Sequence, residues 1–185
     1  GNTAGGGGAI FLEGGEGSST LDSCRFNGNS ASDGGAIFLY TVALASIDGC
    51  GFEENLALEL GGALFTFEAK TTITGETTFD CNEASGGGAI WNEGGNIGIS
   101  GGKFTNNVAF GGGGIVVESA SSTVTSSLFD QNAALFAGGG AIAYLSNLDT
   151  QVNAINDTVF KNNTSLDPSE PSDDVLDVDA VFFGD

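Results

Sequence analysis

The sequence predicts an all-β solenoid, a rod built from coils of short strands, and three observations predict it. A unit of about 26 residues recurs six or seven times along the chain. Each copy holds short β-prone runs separated by Gly, Asn and Ser, and no stretch keeps the 3.6-residue period of an amphipathic helix. The 32 glycines among 185 residues far exceed the usual share of roughly 7%, while a hydrophobic fraction of 40% can still build a core. Together these features indicate ordered repeats that stack on one another.

The repeat unit reads F-x-x-N-x-A and then, after two to four residues, G-G-A-I. Its Phe column is Phe26, Phe52, Phe79, Phe104, Phe129 and Phe160. Its Asn column is Asn2, Asn29, Asn55, Asn82, Asn107, Asn132 and Asn163. The glycine pair is followed by an aliphatic column, Ile10, Ile37, Leu64, Ile90, Ile115 and Ile142. A second aliphatic column, which includes Leu21 and Ile47, lies five or six residues before each Phe.

These columns predict three short strands and three turns per copy, which is one rung of a parallel β-helix. We expect about seven rungs of roughly 26 residues, with strands of successive rungs about 4.8 Å apart. The Phe rings should stack inside the rod, and the Asn amides should form an internal ladder at a turn. Residues 1–165 form the predicted β-helix, and residues 166–185 an acidic linker with a docking or capping strand, or alternatively a mobile tail.

The combination of F-x-x-N with G-G-A-[ILV] resembles the repeat signature of the chlamydial polymorphic outer membrane proteins. Similar repeats occur in large extracellular proteins of other bacteria and of some algae and protists. These proteins look like members of the right-handed β-helix, pectin-lyase-like class. The resemblance covers residues 2–165, and it implies a right-handed parallel β-helix that serves as a surface-exposed adhesive or structural stalk.

Charge and composition exclude several classes of function. The formal net charge is −20, so the chain should not bind nucleic acid, and it should be repelled by anionic membranes. Histidine is absent, which removes the usual general base and the commonest metal ligand. Arg25 directly precedes an inward Phe and should point to solvent, and Lys103 holds the same column with two rungs, those of Gly51 and Thr78, between them. We therefore predict no catalytic residue, no metal centre and no cofactor.

Two acidic positions and the cysteines leave alternatives open. Asp22 and Asp48 share an outward column on adjacent rungs, about 5 Å apart. We expect solvated surface charges there, with weak calcium binding as a subsidiary hypothesis. Cys24 and Cys50 also share a column, whose spacing permits a disulfide or two stacked buried thiols. Cys81 lies in a different column and should be unpaired.

An apolar column follows the aliphatic column of G-G-A-I. Alternation along the strand places it, together with the Ala of G-G-A-I, on the outside of the rod. Its predicted interface residues are Phe11, Phe38, Phe65, Trp91 and Val116. An exposed apolar stripe of this length predicts packing against another chain or domain, although the opposite parity, with the aromatics in the core, stays open.

Three hypotheses of function follow. The first is a non-catalytic extracellular structural building block of a surface appendage, filament or wall, self-associating or joining other chains through the stripe and through open ends of the helix. The first repeat begins in mid-unit at Asn2, which favours end-to-end docking or continuation of the repeats. The second is an adhesin or glycan-binding module that uses Trp91 and Tyr40, and the third is a polysaccharide lyase or hydrolase. Sequons place possible sugars at Asn156 and Asn162, since Asn163 belongs to the buried ladder.

Overall fold

The computed structural model describes residues 1–145, 151–166 and 181–183, and every regular element in these ranges is a β-strand. The strands form four parallel sheets that run along the rod. The first sheet contains β1 (Ile10–Glu13), β5 (Ile37–Tyr40), β9 (Leu64–Phe67), β13 (Ile90–Glu93), β17 (Ile115–Glu118), β21 (Ile142–Leu145) and β25 (Val181–Phe183). The second contains β2 (Ser18–Asp22), β6 (Leu44–Asp48), β10 (Lys70–Thr74), β14 (Asn96–Ser100), β18 (Ser121–Thr125) and β22 (Asn153–Asn156).

The third and fourth sheets are built from shorter strands. The third contains β3 (Arg25–Asn27), β7 (Gly51–Glu53), β11 (Thr78–Asp80), β15 (Lys103–Thr105), β19 (Leu128–Asp130) and β23 (Val159–Lys161). The fourth contains β4 (Ser30–Ala31), β8 (Leu56–Ala57), β12 (Glu83–Gly86), β16 (Val108–Gly111), β20 (Ala133–Ala137) and β24 (Thr164–Ser165). Each strand pairs with the strand four places later in the chain, so one coil is one repeat unit.

The predicted solenoid is confirmed, but each coil has four strands instead of three. The segment after each column Asn, which we assigned to a turn, pairs with its equivalents as the fourth sheet. Five complete coils follow one another from β1 to β20, and the sixth, β21 to β24, spans residues 146–150, which lie outside the described residues. The expected seven rungs were too many, because the partial units at the two ends of the repeat had been counted as full coils.

The Phe rings stack through the middle of the rod. Phe52 lies between Phe26 and Phe79, with ring centroids 4.9 and 4.7 Å apart. The stack continues through Phe104 and Phe129 at 4.8 and 4.6 Å, and adjacent rings from Phe52 to Phe129 are within 4° of parallel. The rings are almost completely buried, so each contributes apolar burial of about 2–3 kcal/mol.

The Asn side chains form a continuous ladder beside the Phe stack. The Oδ1 atom of Asn82 accepts hydrogen bonds from the backbone N–H and the side-chain amide of Asn55, both at 3.0 Å. The Nδ2 atom of Asn82 donates to the carbonyl of Phe52 and to Oδ1 of Asn107. The same bonds connect Asn2 to Asn29 and Asn29 to Asn55 at one end, and Asn132 to Asn163 at the other. Each buried amide therefore satisfies backbone groups at a corner where the ladder of the sheets is interrupted.

The G-G-A-I segment corrects one expectation about parity. Ala36 and Ile37 are consecutive, yet both are fully buried in the core, whereas we expected the Ala to point outward. The carbonyl of Ala36 accepts hydrogen bonds from the backbone N–H groups of both Ala9 and Ile10, at 2.8 and 3.0 Å. Two donors on one acceptor interrupt strand alternation as a bulge does, and both side chains turn inward. The preceding Gly34 has φ of +58°, a backbone conformation that favours glycine.

The described part of the C-terminal region is a single strand. Residues 181–183 pair in parallel with β21, so Val181 to Phe183 extend the first sheet by one strand. The linker predicted before this strand lies mostly in residues 167–180, outside the described residues. The boundary between the repeats and a separate C-terminal segment stays a prediction.

Candidate functional site

The aromatic stripe expected on the first sheet is largely covered. Its side chains do point away from the core, but only Phe11 is well exposed, at 49%. Phe38 and Trp91 are half-buried, whereas Phe65 and Val116 are 6% and 1% exposed. The predicted exposure of this stripe is therefore wrong along most of its length.

The cover comes from the glycine-rich segment that leads from the fourth sheet to the first. A Cβ on Gly6 would lie 3.0 Å from the Phe38 ring, and one on Gly86 would overlap the Trp91 ring. Beneath this segment Phe38 stacks on Phe65 with ring centroids 4.5 Å apart, and Phe11 meets Phe38 edge to face at 5.2 Å. The stripe thus forms a second, outer apolar layer, and the missing side chains of the glycines create the space for it.

A different apolar column is exposed, on the outer face of the fourth sheet. Most of its residues directly follow the small residue, Ala or Ser, of F-x-x-N-x-A, and Phe136 comes one position later; we call this column the ridge: Leu58, Phe110, Leu135, Phe136 and Leu166. Leu58, Phe110 and Phe136 are 65%, 55% and 58% exposed. The register of β16 against β20 shifts between Ala109 and Gly111, so Leu135 and Phe136 both lie opposite Phe110. The rings of Phe110 and Phe136 meet edge to face, with centroids 6.2 Å apart. Sequence analysis missed the ridge, although alternation after the column Ala could have indicated it.

An apolar groove of about 350 Å³ runs alongside the ridge. The residues that follow Phe110 and Phe136 in the chain form one wall, and the partly covered stripe forms the other. Its lining residues are Leu60, Ser85, Gly86, Trp91, Gly111, Gly112, Val116, Ala137, Gly138, Ala143 and Leu145. None of these residues is charged.

Carboxylates lie at the end of the ridge nearer the N-terminus. Asp33 follows the first coil of the fourth sheet, and Glu59 comes directly after Leu58. Partial burial and the nearby negative charge of Glu59 raise the pKa of Asp33, and a hydrogen bond from the N–H of Leu60 opposes the shift. Negative charge is therefore already crowded at this end of the ridge.

The third sheet carries the mixed-charge face considered for catalysis. Arg25 points to solvent, as expected, and lines a groove of about 430 Å³ whose floor includes Gly51. Lys103 lines the same groove and pairs with Glu76 at 3.2 Å. Further along this face Lys161 and Asn162 donate hydrogen bonds to Asp130, and the lysine bond is the main cause that lowers the pKa of this carboxyl.

The two carboxylates considered for calcium binding lie on the second sheet. Asp22 and Asp48 are register partners on adjacent coils, and the hydroxyls of Ser23 and Thr74 donate to them. Among the described residues no group of three or more acidic, Cys or His side chains is arranged to hold a metal ion. Weak calcium binding by the two carboxylates stays a prediction.

Cys24 and Cys50 belong to a ladder of small polar side chains. Cys24 and Cys50 are free thiols, so the structure contains the stacked thiols and not the disulfide. The thiol of Cys50 accepts from the N–H of Cys24 and contacts the carbonyl of Asp48, and burial raises its pKa. The hydroxyl of Thr77 takes the corresponding place one coil later, since it accepts from the N–H of Cys50. Cys81 is exposed and free.

The sequons follow the expected order of accessibility. Asn156 and Asn162 are exposed, and Asn163 is buried in the ladder, with its amide bonded to the carbonyl of Phe129. Glycosylation at the two exposed sites stays a prediction. No helix in the described ranges is long and apolar enough to cross a membrane.

Comparison with known proteins points to the fold. The family model described as a right handed beta helix region matches residues 4–173. No curated protein and no solved structure matches the chain.

Proposed function

The chain belongs to the right-handed β-helix family, and from this premise we propose that it is a non-catalytic structural building block of an extracellular appendage, filament or wall. The observation that carries the proposal is the ridge of Leu58, Phe110, Leu135, Phe136 and Leu166. Contiguous exposed apolar surface on a soluble rod favours packing against another chain.

The use of the repeat columns supports a scaffold role. The Phe and aliphatic columns pack in the core, the Asn column forms hydrogen bonds within its ladder and to the backbone, and the glycines allow the coils to pack closely. A rod whose repeated positions serve its own core gains length and stiffness from each added coil. The likeness of F-x-x-N and G-G-A-I to the chlamydial surface-protein repeats favours the same role.

Two surface features support an extracellular location. Asn156 and Asn162 present sequon side chains to solvent, where a glycan could be attached. The net charge of −20 keeps a surface rod soluble and discourages non-specific contact with nucleic acid.

A glycan-binding adhesin is the second candidate, and the groove on the third sheet favours it. Arg25 and Lys103 offer cationic donors in this groove. Tyr40 is exposed elsewhere on the rod and stacks on Phe67 at 5.3 Å. The indole N–H of Trp91 is buried, so this residue is a poorer sugar platform than the sequence suggested.

Two measurements on the purified chain and its source cells test the proposal. Immunogold labelling with an antibody against the chain should decorate a surface structure, and incubation with neutral and acidic polysaccharides should release no product. Cleavage that disappears in R25A or K103A variants would overturn the non-catalytic role. Glycan-array binding by a monodisperse monomer, lost in R25A but retained in the ridge variant F110S, would favour the adhesin instead.

A further inference from the structure

The ridge offers enough apolar surface for a specific contact. Large apolar side chains expose roughly 150–250 Å² when fully accessible, so the ridge at its observed exposure presents about 500 Å². Isolated apolar side chains on a surface are ordinary, but a contiguous patch of this size on one face marks an interaction site. A standard interface buries about 800 Å² on each partner, so the ridge alone supplies more than half of that area.

The ridge can pack against the ridge of a second copy. Phe110 and Phe136 project from the fourth sheet directly beside the groove lined by Trp91, Val116 and Ala143. A two-fold axis that lies in this face and crosses the rod at Phe110 makes the two rods antiparallel and places the ridge of one copy along the ridge of the other, so both copies use the same patch. Ser85, the polar residue between Leu58 and Phe110, donates its hydroxyl to the carbonyl of Leu58 and needs no acceptor from a partner.

The charges at the end of the ridge select the direction of the partner. In a parallel pair, Asp33 and Glu59 of both copies would lie at the same level, adding to repulsion already present within one chain. An antiparallel pair separates the two acidic ends by the four coils between Leu58 and Leu166, about 19 Å. This distance exceeds the Debye length of about 8 Å at physiological salt, so the repulsion is largely screened.

We propose that two copies of this chain pair face to face and antiparallel, with the ridge of each copy packed along the ridge of the other and Phe110 at the centre of the contact. The inference rests on the proposed structural role, since it names the partner of the same apolar surface. The pair would be the lateral unit from which a larger surface assembly grows.

Sedimentation velocity of the purified chain over a range of concentrations tests the pairing. The wild-type chain of 18.5 kDa should sediment at twice that mass. The F110S/F136S variant should weaken dimerisation by 100-fold or more, because central aromatic residues dominate an interface. The matched control is V159S, since Val159 is 54% exposed on the third sheet, away from the ridge. Circular dichroism verifies that each variant is folded.

A monomeric wild-type chain at every concentration, or a dimer that survives F110S/F136S as well as V159S, would overturn the pairing. These results would leave the structural role itself to be decided by the surface labelling and the polysaccharide assay, so the two failures are distinguishable.

Cross-linking tests the antiparallel order. In a background with the exposed Cys81→Ser change, L58C/L166C should form a covalent dimer under mild oxidation, because Leu58 of one copy faces Leu166 of the other. The two positions are too far apart to bridge within one chain. Neither L58C nor L166C alone should cross-link efficiently. A covalent dimer from L58C alone would indicate parallel copies and overturn the proposed geometry.

Discussion

Two aromatic columns run along this rod, one inside it and one outside the first sheet, and they behave differently although each places one ring on each of several successive coils. The inner column holds Phe rings 4.6–5.2 Å apart, and neighbouring planes differ by 3–17°. In the outer column the Phe11 and Phe38 planes differ by 74°, and those of Phe38 and Phe65 by 29°. Exposure in the outer column ranges from 49% at Phe11 to 6% at Phe65.

The difference shows that repeating one ring on each coil does not by itself determine how the rings are oriented. Inside, the strand register, the Asn ladder and close packing leave each ring a single orientation, so the rings repeat like the backbone. Outside, the ring environment depends on the segment that covers it, and this segment varies in length and sequence from coil to coil. The second outward column of the first sheet is also irregular, since Tyr40 stacks on Phe67 but Glu93 lies opposite Glu118.

The largest expected effect separates the two columns directly. We expect Phe79→Ala to lower the free energy of unfolding by about 4 kcal/mol, because it leaves a cavity between two parallel rings. Phe11→Ala removes the same atoms from a half-exposed position and should cost about 1 kcal/mol or less. Urea unfolding followed by circular dichroism measures both. Similar losses for the two variants would contradict the distinction between a constrained inner stack and a loose outer one.

A smaller effect tests the cover over the outer column. A Cβ in Gly86→Ala would overlap the Trp91 ring, so the ring must move outward at a cost of about 1–3 kcal/mol. Trp91 is the single tryptophan of the chain, so its fluorescence emission should shift to longer wavelength as the ring becomes more exposed.

Gly98→Ala is the control for this experiment. The nearest atom to its new Cβ would be Cγ2 of Thr72, at an ordinary contact distance of 3.9 Å. If Gly86→Ala left both the emission and the stability unchanged, the covering segment would be too loose to bury the outer column.

The smallest expected effect concerns stacked carboxylates. Partial burial, with the charge of Glu93 on the adjacent strand, raises the pKa of Glu118. The native state therefore holds this proton to higher pH than the unfolded state, and stability falls as pH rises through the raised pKa. Glu118→Gln should stabilise the chain at pH 7, by less than about 1 kcal/mol because the carboxylate is partly exposed.

The same variant predicts a pH dependence. Its advantage over wild type should shrink as pH falls to about 4, where the wild-type carboxyl is protonated. Thermal unfolding at several pH values checks this, with Glu83→Gln as an exposed control outside the column. An advantage that grew on acidification would have the wrong sign for repulsion between these carboxylates.

Much of the fold could be predicted from the sequence, because each coil of a solenoid carries the same residue types at the same positions. The Phe and Asn columns could be placed inside, since only a stack of coils brings Asn55, Asn82 and Asn107 together. The fourth strand was missed because a two-residue strand such as Leu56–Ala57 has no periodicity of its own. The candidate surface was misplaced by one sheet, since the sequence pattern indicated the direction of the Phe65 side chain but not what covered it.

By itself, then, the sequence determined the length of the repeat, the parallel stacking of the coils and the residues of the Phe stack and the Asn ladder. It could do so because identical residues one coil apart must face identical surroundings. Only the tertiary structure decided which outward column meets solvent. Burial of Phe65 and exposure of Phe110 depend on how the glycine-rich segment folds over the first sheet and how the bulge at Leu135 and Phe136 widens the fourth. Those contacts join residues of different strands and coils, and no local pattern of apolar residues encodes them.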